Sequence, residues 1–484
     1  MASRISNISD IEWAIGPSRM AVEDLFKSAE SHRLGINGAK DEQKAFELYR
    51  RAAEWGYAPA QHELGLCYEF GAGVAQDALK AALWYRKAAE WGYAPSQYGL
   101  GLCYQFGMGV DQNALKAVEW YFKSAHQGYA LAQYNLGLCH LSGTGVNQDK
   151  RAAVQWFLQA AKQEYIPAQT NLGYCFHHGI GVAQNFQLAA QWYAKSAEQG
   201  DPEAQYSLGI CYQNGLGVTP DPEKEFEWYT KAAEQGHLPA QSNLAYCYQY
   251  GIGVDKNVQK TIEWYTKAAE KGFSIAQNNL AFCYASSGMG IPQNLPLAFE
   301  WYTKAAEQGL ASAQLSLGNF YVEEILADLD PAIGVKWYAK AAEQGLSGAQ
   351  CNLASCYATG TAVSQDERIA VQWYSKAAEQ RELRALYLLR TNFLSRSIQR
   401  IFPKGKWSMK YAPTFSDSKS DIYYELGLCN QAFHNQMEAV SYYKKAASRG
   451  NTSAQFHLAD LYDQVATTEE EKEIAAKWRR IAEH

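Results

Sequence analysis

The stretch that decides the fold is LGLCYQFGMGV, at Leu100–Val110. Close copies are LGLCYEFGAGV at Leu64–Val74 and LGICYQNGLGV at Leu208–Val218. A repeat of 20 to 50 residues indicates stacked structural units, because a single unit cannot bury its own apolar face. The period of 36 residues is read from two columns of identical residues, Gln61, Gln97, Gln133, Gln169, Gln205, Gln241 and Gln277, and Trp84, Trp120, Trp156, Trp192, Trp228 and Trp264.

Each unit reads as two helices. PAQHELGLCYEF, from Pro59, has helix-forming residues with one apolar face, and ALKAALWYRKAAEWG, from Ala78, has a second helical pattern that ends at Gly92. We call these helix A and helix B, and we predict an all-α solenoid with a period of 36 residues. An Asp or Asn stands before helix B in nine units, where it is expected to cap the helix: Asp77, Asn113, Asp149, Asn185, Asp221, Asn257, Asn294, Asp330 and Asp366.

The paired glycines of the loop, such as Gly107 and Gly109, could be read as a phosphate-binding turn. No predicted strand precedes them and no Lys-Ser/Thr pair follows, as a nucleotide-binding loop requires. They are instead expected to allow a tight turn.

Composition excludes several classes of protein. The 484 residues carry a net charge of −6, and 19% of them are charged, which gives no general reason to bind nucleic acid or an anionic membrane. No signal-peptide pattern and no apolar run of about 18 residues is found, so we expect a cytoplasmic protein. Most of the ten cysteines recur once per unit, too far apart to form disulfides, and are expected to be buried free thiols.

The pattern AQxxLGxCYxxGxGV followed by AxxWYxKAAEQG resembles the Sel1-like repeat, a relative of the tetratricopeptide repeat, in the units from Tyr57 to Arg381. The resemblance implies a right-handed α/α superhelix that acts as a non-catalytic scaffold or adaptor for other proteins. Two alternatives stay open: a regulatory subunit or activator of a kinase, chitin synthase or ubiquitin-ligase type of complex, and a host-interacting effector.

The repeats divide the chain into five parts. Residues 1–20 are expected to be a flexible N-terminus, 21–56 a degenerate capping repeat, and 57–381 nine regular repeats. Residues 382–420 form a disrupted basic repeat, and 421–484 the C-terminal repeats with a capping helix.

The candidate partner-binding residues lie on helix A. On a helical wheel of the first regular unit, the residues shared between units fill one arc and should pack, whereas the variable residues fill the opposite arc and should face outward. Aromatic and amide side chains on that arc are typical of protein interfaces, although the leucine positions could equally pack on neighbouring helices. The predicted contacts are Tyr98, Leu102, Gln105, Tyr134, Asn135, Asn171, Tyr174, His177, Tyr206 and Gln213.

The disrupted repeat is rich in cations. This segment could bind an acidic partner or a membrane surface, or it could be a decayed repeat with a solvated loop. The predicted basic patch comprises Arg390, Arg396, Arg400, Lys404, Lys406 and Lys410.

The sequence points to no catalytic, metal or cofactor site. His140, His177 and His178 lie near cysteines but lack the spacing of a zinc site, and the Trp-Tyr pair of helix B, as at Trp84, is expected to be core. We therefore expect a protein that is not an enzyme, needs no cofactor and binds other proteins or peptides.

Overall fold

The computed structural model describes residues 19–36, 38–287, 290–401, 418–465 and 469–483. All regular secondary structure in these ranges is helical, and it falls into two compact units. The first unit runs up to Ala240 and includes Ile252–Asp255. The second comprises Gln241–Gly251 and the chain from Lys256 onward.

The first unit alternates helix A and helix B after one N-terminal helix pair, and each helix A packs on the helices B before and after it. Its helices are α1 Arg19–Leu34, α2 Glu42–Glu54, α3 Ala58–Phe70, α4 Ala78–Glu90, α5 Ala94–Phe106, α6 Ala114–His126, α7 Ala130–Ser142, α8 Lys150–Ala161, α9 Ile166–His178, α10 Phe186–Glu198, α11 Pro202–Asn214 and α12 Pro222–Glu234.

Helix α13, Leu238–Tyr250, begins in the first unit and continues in the second. The second unit keeps the alternation as far as Glu379 and resumes it at Lys419. Its helices are α14 Val258–Glu270, α15 Ser274–Ala285, α16 Leu295–Glu307, α17 Ala311–Val322, α18 Pro331–Glu343, α19 Ser347–Thr359, α20 Glu367–Glu379, α21 Leu383–Leu388, α22 Ser395–Ile401, α23 Lys419–Ala432, α24 Gln436–Ala447, α25 Thr452–Val465 and α26 Glu469–Glu483.

The loop glycines end helix A and bring the chain close to its neighbour. Gly107 is in the left-handed conformation (φ 72°) at the end of α5, and the next amide, of Met108, donates to the carbonyl of Cys103 at 2.9 Å. A Cβ atom on Gly109 (φ 67°) would lie 2.0 Å from the carbonyl oxygen of Ala78. The prediction of a tight turn is confirmed, and the second glycine also permits close packing on the preceding helix B.

The predicted caps of helix B are confirmed in all nine units. At Asn113, for example, the side-chain oxygen accepts the backbone N–H of Lys116 at 3.0 Å. The same contact recurs at each of the other eight positions. These caps satisfy backbone donors that the helix leaves unpaired, so they fix where helix B starts.

In most repeats the core is an aromatic ring of helix B laid against a glycine of helix A. A Cβ atom on Gly101 would lie 2.5 Å from the buried ring of Tyr121. The predicted core position is confirmed for this tyrosine and in part for its tryptophan neighbour, which packs against the same apolar cluster. Trp120 is only half-buried, and the Lys123 ammonium lies 4.0 Å from its ring centre. The tryptophan therefore packs under a cation at the edge of the core.

A ladder of glutamine pairs recurs along the chain, one pair within each of seven repeats. Just after helix B, a glutamine Nε2 donates to the Oε1 of the buried helix A glutamine 30 or 31 residues earlier, at 2.7–3.0 Å. The ladder is broken at Gln61, which is 4% exposed, because Trp91 stands where the donor glutamine is expected. No protein donor reaches Gln61 Oε1.

The disrupted repeat remains helical in its first half. α21 continues through a π-helical turn, Leu389–Leu394, into α22. Beyond it, α23 packs on α20 as well as on α22, and Asn430 Nδ2 donates to Ser375 Oγ at 2.8 Å. The repeat after the disruption thus contacts the last regular helix B directly.

Candidate functional site

The candidate site is the side of each helix A that points away from its buried face. In α3 the packed residues are Ala60, Gln61, Leu64, Gly65 and Cys67. We call the remaining side, formed in α3 by positions 62, 63, 66, 69 and 70 and by their equivalents in later repeats, the helix A face.

Two predicted tyrosines link consecutive helices A. The hydroxyl of Tyr98 on α5 accepts a hydrogen bond from Asn135 Nδ2 on α7 at 3.2 Å. Likewise, Tyr134 on α7 accepts from Asn171 Nδ2 on α9 at 3.1 Å. The rings are half-buried, and that of Tyr98 lies 5.7 Å from the core ring of Tyr121. These four side chains therefore form hydrogen bonds between consecutive repeats.

Tyr206 and Leu102 are also partly covered. The ring of Tyr206 lies 4.8 Å from that of His237 and 5.8 Å from the core ring of Tyr229. Leu102 is half-buried against the apolar cluster that contains Leu100 and Tyr121. The sequence leaves open whether the leucines of this arc bind a partner or pack on neighbouring helices, and Leu102 packs.

The predicted glutamines bind the core tyrosines. The hydroxyl of Tyr121 donates to Gln105 Oε1, and that of Tyr229 donates to Gln213 Oε1 at 3.0 Å. Burial also raises the pKa of Tyr121, so its hydroxyl stays protonated and can act as donor. Gln213 is exposed and Gln105 is half-buried.

Tyr174 and His177 lie at the end of α9. The exposed ring of Tyr174 lies 4.3 Å from that of His178, which is itself 4.6 Å from His177. Burial, with the neighbouring His178, lowers the pKa of His177, so it is held neutral. These three rings form an aromatic cluster.

The sequence-based site omitted the most exposed aromatic residues of helix A. Phe70 and Phe106, the last residues of α3 and α5, are 72% and 62% exposed. They follow Leu66 and Leu102 by four residues, so each pair shares one side of its helix. In the second unit Tyr246 and Tyr250 form the same kind of pair, and Phe282 is exposed as well. In the sequence, these exposed aromatic residues are indicated by the i, i+4 spacing of apolar residues within the variable arc.

The helix A face carries almost no charge. The nine helices A from Ala58 to Thr359 contain no lysine or arginine, and their carboxylates are Glu63, Glu69 and Glu203. The lysines of these repeats lie instead on helix B and in the loops. The face therefore offers aromatic, aliphatic and amide groups.

The described arginines of the predicted basic patch are held in ion pairs. Arg390 Nε lies 2.9 Å from the carboxylate of Glu425, which is almost fully buried. Arg396 and Arg400 both pair with Glu367, at 2.5 and 3.8 Å. Arg390 is thus not a free surface charge, because it compensates a buried carboxylate. Lys404, Lys406 and Lys410 lie outside the described residues.

The cysteines are free and buried, as the sequence predicts. Burial raises the pKa of Cys103 to about 12, so the reactive thiolate is scarce at neutral pH. Among the described residues, no group of three His, Cys, Asp or Glu side chains could hold a metal ion.

No helix in the described part of the chain combines the length and the apolar character that a membrane span needs.

Comparison with known proteins gives one family. The Sel1 repeat profile matches residues 24–57, 58–93, 94–129, 130–165, 166–201, 202–237, 238–273, 274–310, 311–346, 347–381 and 422–451. No curated protein sequence matches significantly.

Among solved structures, the chain is similar to a protective antigen of uropathogenic Escherichia coli with an SLR fold. The identity is 30%, with 96% of this chain and 98% of the antigen covered and a TM-score of 0.70. A Sel1 repeat protein from Oxalobacter formigenes is 32% identical over 51% of this chain and 96% of its own, with a TM-score of 0.46.

Proposed function

The chain belongs to the Sel1 repeat family, and we propose that it is a non-catalytic adaptor that binds partner proteins along the helix A face. Sel1 and tetratricopeptide-like repeat proteins generally mediate protein–protein interactions on a fold that is generally a non-catalytic scaffold. The observation that supports the proposed face is the exposed phenylalanine at the end of successive helices A, Phe70 and Phe106, each four residues after a half-buried leucine.

Exposed aromatic side chains favour binding because a partner that covers them removes their apolar area from water. An exposed phenylalanine loses little entropy when it is covered, and aromatic residues are enriched among the residues that dominate interface energies. The amide groups of Gln105 and Gln213 can donate to the backbone of an extended segment, since their carbonyls are already held by core tyrosines.

The near absence of charge on this face sets the expected character of the contact. Without lysine or arginine on helix A, long-range electrostatic attraction contributes little, and salt should change the affinity only slightly. Affinity would come from several shallow contacts on consecutive repeats.

The test compares three purified baits in one native lysate: the wild type, a Phe70→Ser/Phe106→Ser variant and a Glu227→Gln control. Serine is the natural residue at this position in the next repeat, Ser142, so the helices should be retained, which circular dichroism and thermal melts check. Proteins held by the wild type and the control but lost from the double variant support the proposal. The same proteins on all three baits contradict it.

A further inference from the structure

A second surface lies on the first two regular helices B, on the side away from helix A. Leu79 and Leu115, at equivalent positions of α4 and α6, are 72% and 66% exposed. Leu83 and Phe122 are exposed as well. We call these four side chains the outer patch. On α4, Leu79 and Leu83 are four residues apart and form one row, and on α6 Leu115 and Phe122 are seven residues apart and form another.

The two rows lie on neighbouring helices. α4 and α6 contribute to one apolar cluster, in which Tyr85 and Tyr121 both take part. The loop before α6 touches the first turn of α4, where Gly109 meets the carbonyl of Ala78. Next to Phe122, a shallow depression of about 420 Å³ is lined by this residue and by Val118, Glu119 and Lys123. The depression therefore lies beside the apolar residues of α6.

The other repeats show that folding does not require these apolar residues. Among the described residues of the first unit, no helix B after α6 exposes a large apolar side chain. Polar residues replace its leucines there: Arg151, Gln187 and Glu223 for Leu79 and Leu115, and Gln155, Gln191 and Glu227 for Leu83. Phe122 is replaced by Leu158, Ala194 and Thr230.

Cations surround the outer patch. α4 and α6 together carry five lysines and arginines and two glutamates, whereas α12, at the same place in its repeat, carries two lysines and four glutamates. Lys87 and Lys123 lie 3.8 and 4.0 Å from the ring centres of the tryptophans beside them. The complementary ligand is apolar on one side and predominantly acidic at its flanks.

We propose that the outer patch binds an acidic amphipathic helix of a partner protein. Two rows of apolar side chains at helical spacing can be covered by the apolar face of an amphipathic helix. Glu90 and Glu119 lie among the cations of this surface, and a uniformly anionic lipid surface would be repelled at both. A helix with mixed charges can place a basic residue opposite each. This site is separate from the helix A face and does not depend on it.

The experiment measures the binding of three probes, two peptides by fluorescence anisotropy and one vesicle by co-sedimentation. The first is a labelled synthetic helix of about 18 residues with leucines along one face and glutamates beside them, and the second replaces the glutamates by lysines. The third probe is a vesicle of phosphatidylcholine with about one-third phosphatidylserine, followed by co-sedimentation.

The variants use residues that other repeats carry at the same positions, so folding is preserved. We expect the full chain to bind the acidic helix, and Leu83→Gln/Phe122→Thr to weaken binding at least about tenfold, as expected for the loss of two interface anchors. Leu79→Gln, on a second site of the same row, should weaken it several-fold, and Glu227→Gln should not change it. The proposal is overturned by no binding of the acidic helix, by equal binding to the double variant, by preference for the lysine helix, or by vesicle binding that the double variant abolishes.

Discussion

Replacing Trp91 by glutamine should stabilise the protein. The new side chain would stand where seven other repeats place a glutamine donor, 2.7–3.0 Å from the buried acceptor. Pairing Gln61 Oε1 removes a penalty of about 1–3 kcal/mol. Trp91 is 77% exposed, so its loss uncovers roughly 50 Å², worth about 1 kcal/mol at 25 cal per Å², and the glutamine stem recovers part of this. The expected net gain is about 1 kcal/mol.

The matched control is Trp55→Gln. Trp55 occupies the equivalent position one repeat earlier, but the residue 30 positions before it is Leu25, which offers no side-chain acceptor. This variant should therefore lose stability through lost apolar contact alone. Hydrogen exchange of the α3 and α4 amides and thermal melts report both changes. About fivefold slower exchange in Trp91→Gln supports the reasoning, and a loss of stability equal to that of Trp55→Gln refutes it.

Three further predictions concern the fold. Burial holds the pKa of His62 at about 4, below its ordinary 6.5, so its stabilising contribution is full above pH 6.5 and is lost as pH falls toward 4. Between pH 7.5 and 5, the free energy of unfolding should therefore fall by about 2 kcal/mol more in the wild type than in His62→Tyr. Urea titrations measure this difference, and equal falls in the two proteins would contradict the prediction. Gly109→Ala should lower the free energy of unfolding by more than about 2 kcal/mol, and Gly128→Ala by only about 1 kcal/mol. Both glycines have positive φ, but only at Gly109 would the added Cβ lie within 3 Å of other backbone atoms. Equal melting temperatures of the two variants would contradict this. Arg390→Ala should lower the free energy of unfolding by about 3 kcal/mol because it removes the ion-pair partner of a buried carboxylate, while Arg396→Ala, in an exposed pair, should lower it by under about 1 kcal/mol. Urea titrations that rank the two variants in the opposite order would contradict this.

The repeating sequence predicts the fold well because each unit repeats the same physical requirements. The period sets the helix pairs, the Asp and Asn residues mark the start of helix B, and the glycines mark the end of helix A, as at Asn113 and Gly107. These signals are local along the chain, so they can be read without knowing the packing.

The site is harder to predict because exposure depends on contacts between repeats. Tyr98 and Asn135 vary as surface residues do, yet they bond to each other across 37 positions. Phe70 lies on the variable arc but has the same apolar character as a core residue, and the structure shows that it is 72% exposed. The charge of Arg390 likewise suggests a surface cation until its partner, 35 residues later, is seen.

The most direct test of the adaptor role places a photo-crosslinking amino acid on each side of the repeat. p-Benzoylphenylalanine would replace Phe106 on the helix A face or, in a second variant, Glu227 on a helix B outside the outer patch. After irradiation in native lysate and mass spectrometry, the account predicts a discrete protein adduct at position 106 and none at position 227. No adduct at position 106, or the same adduct at both positions, would contradict it.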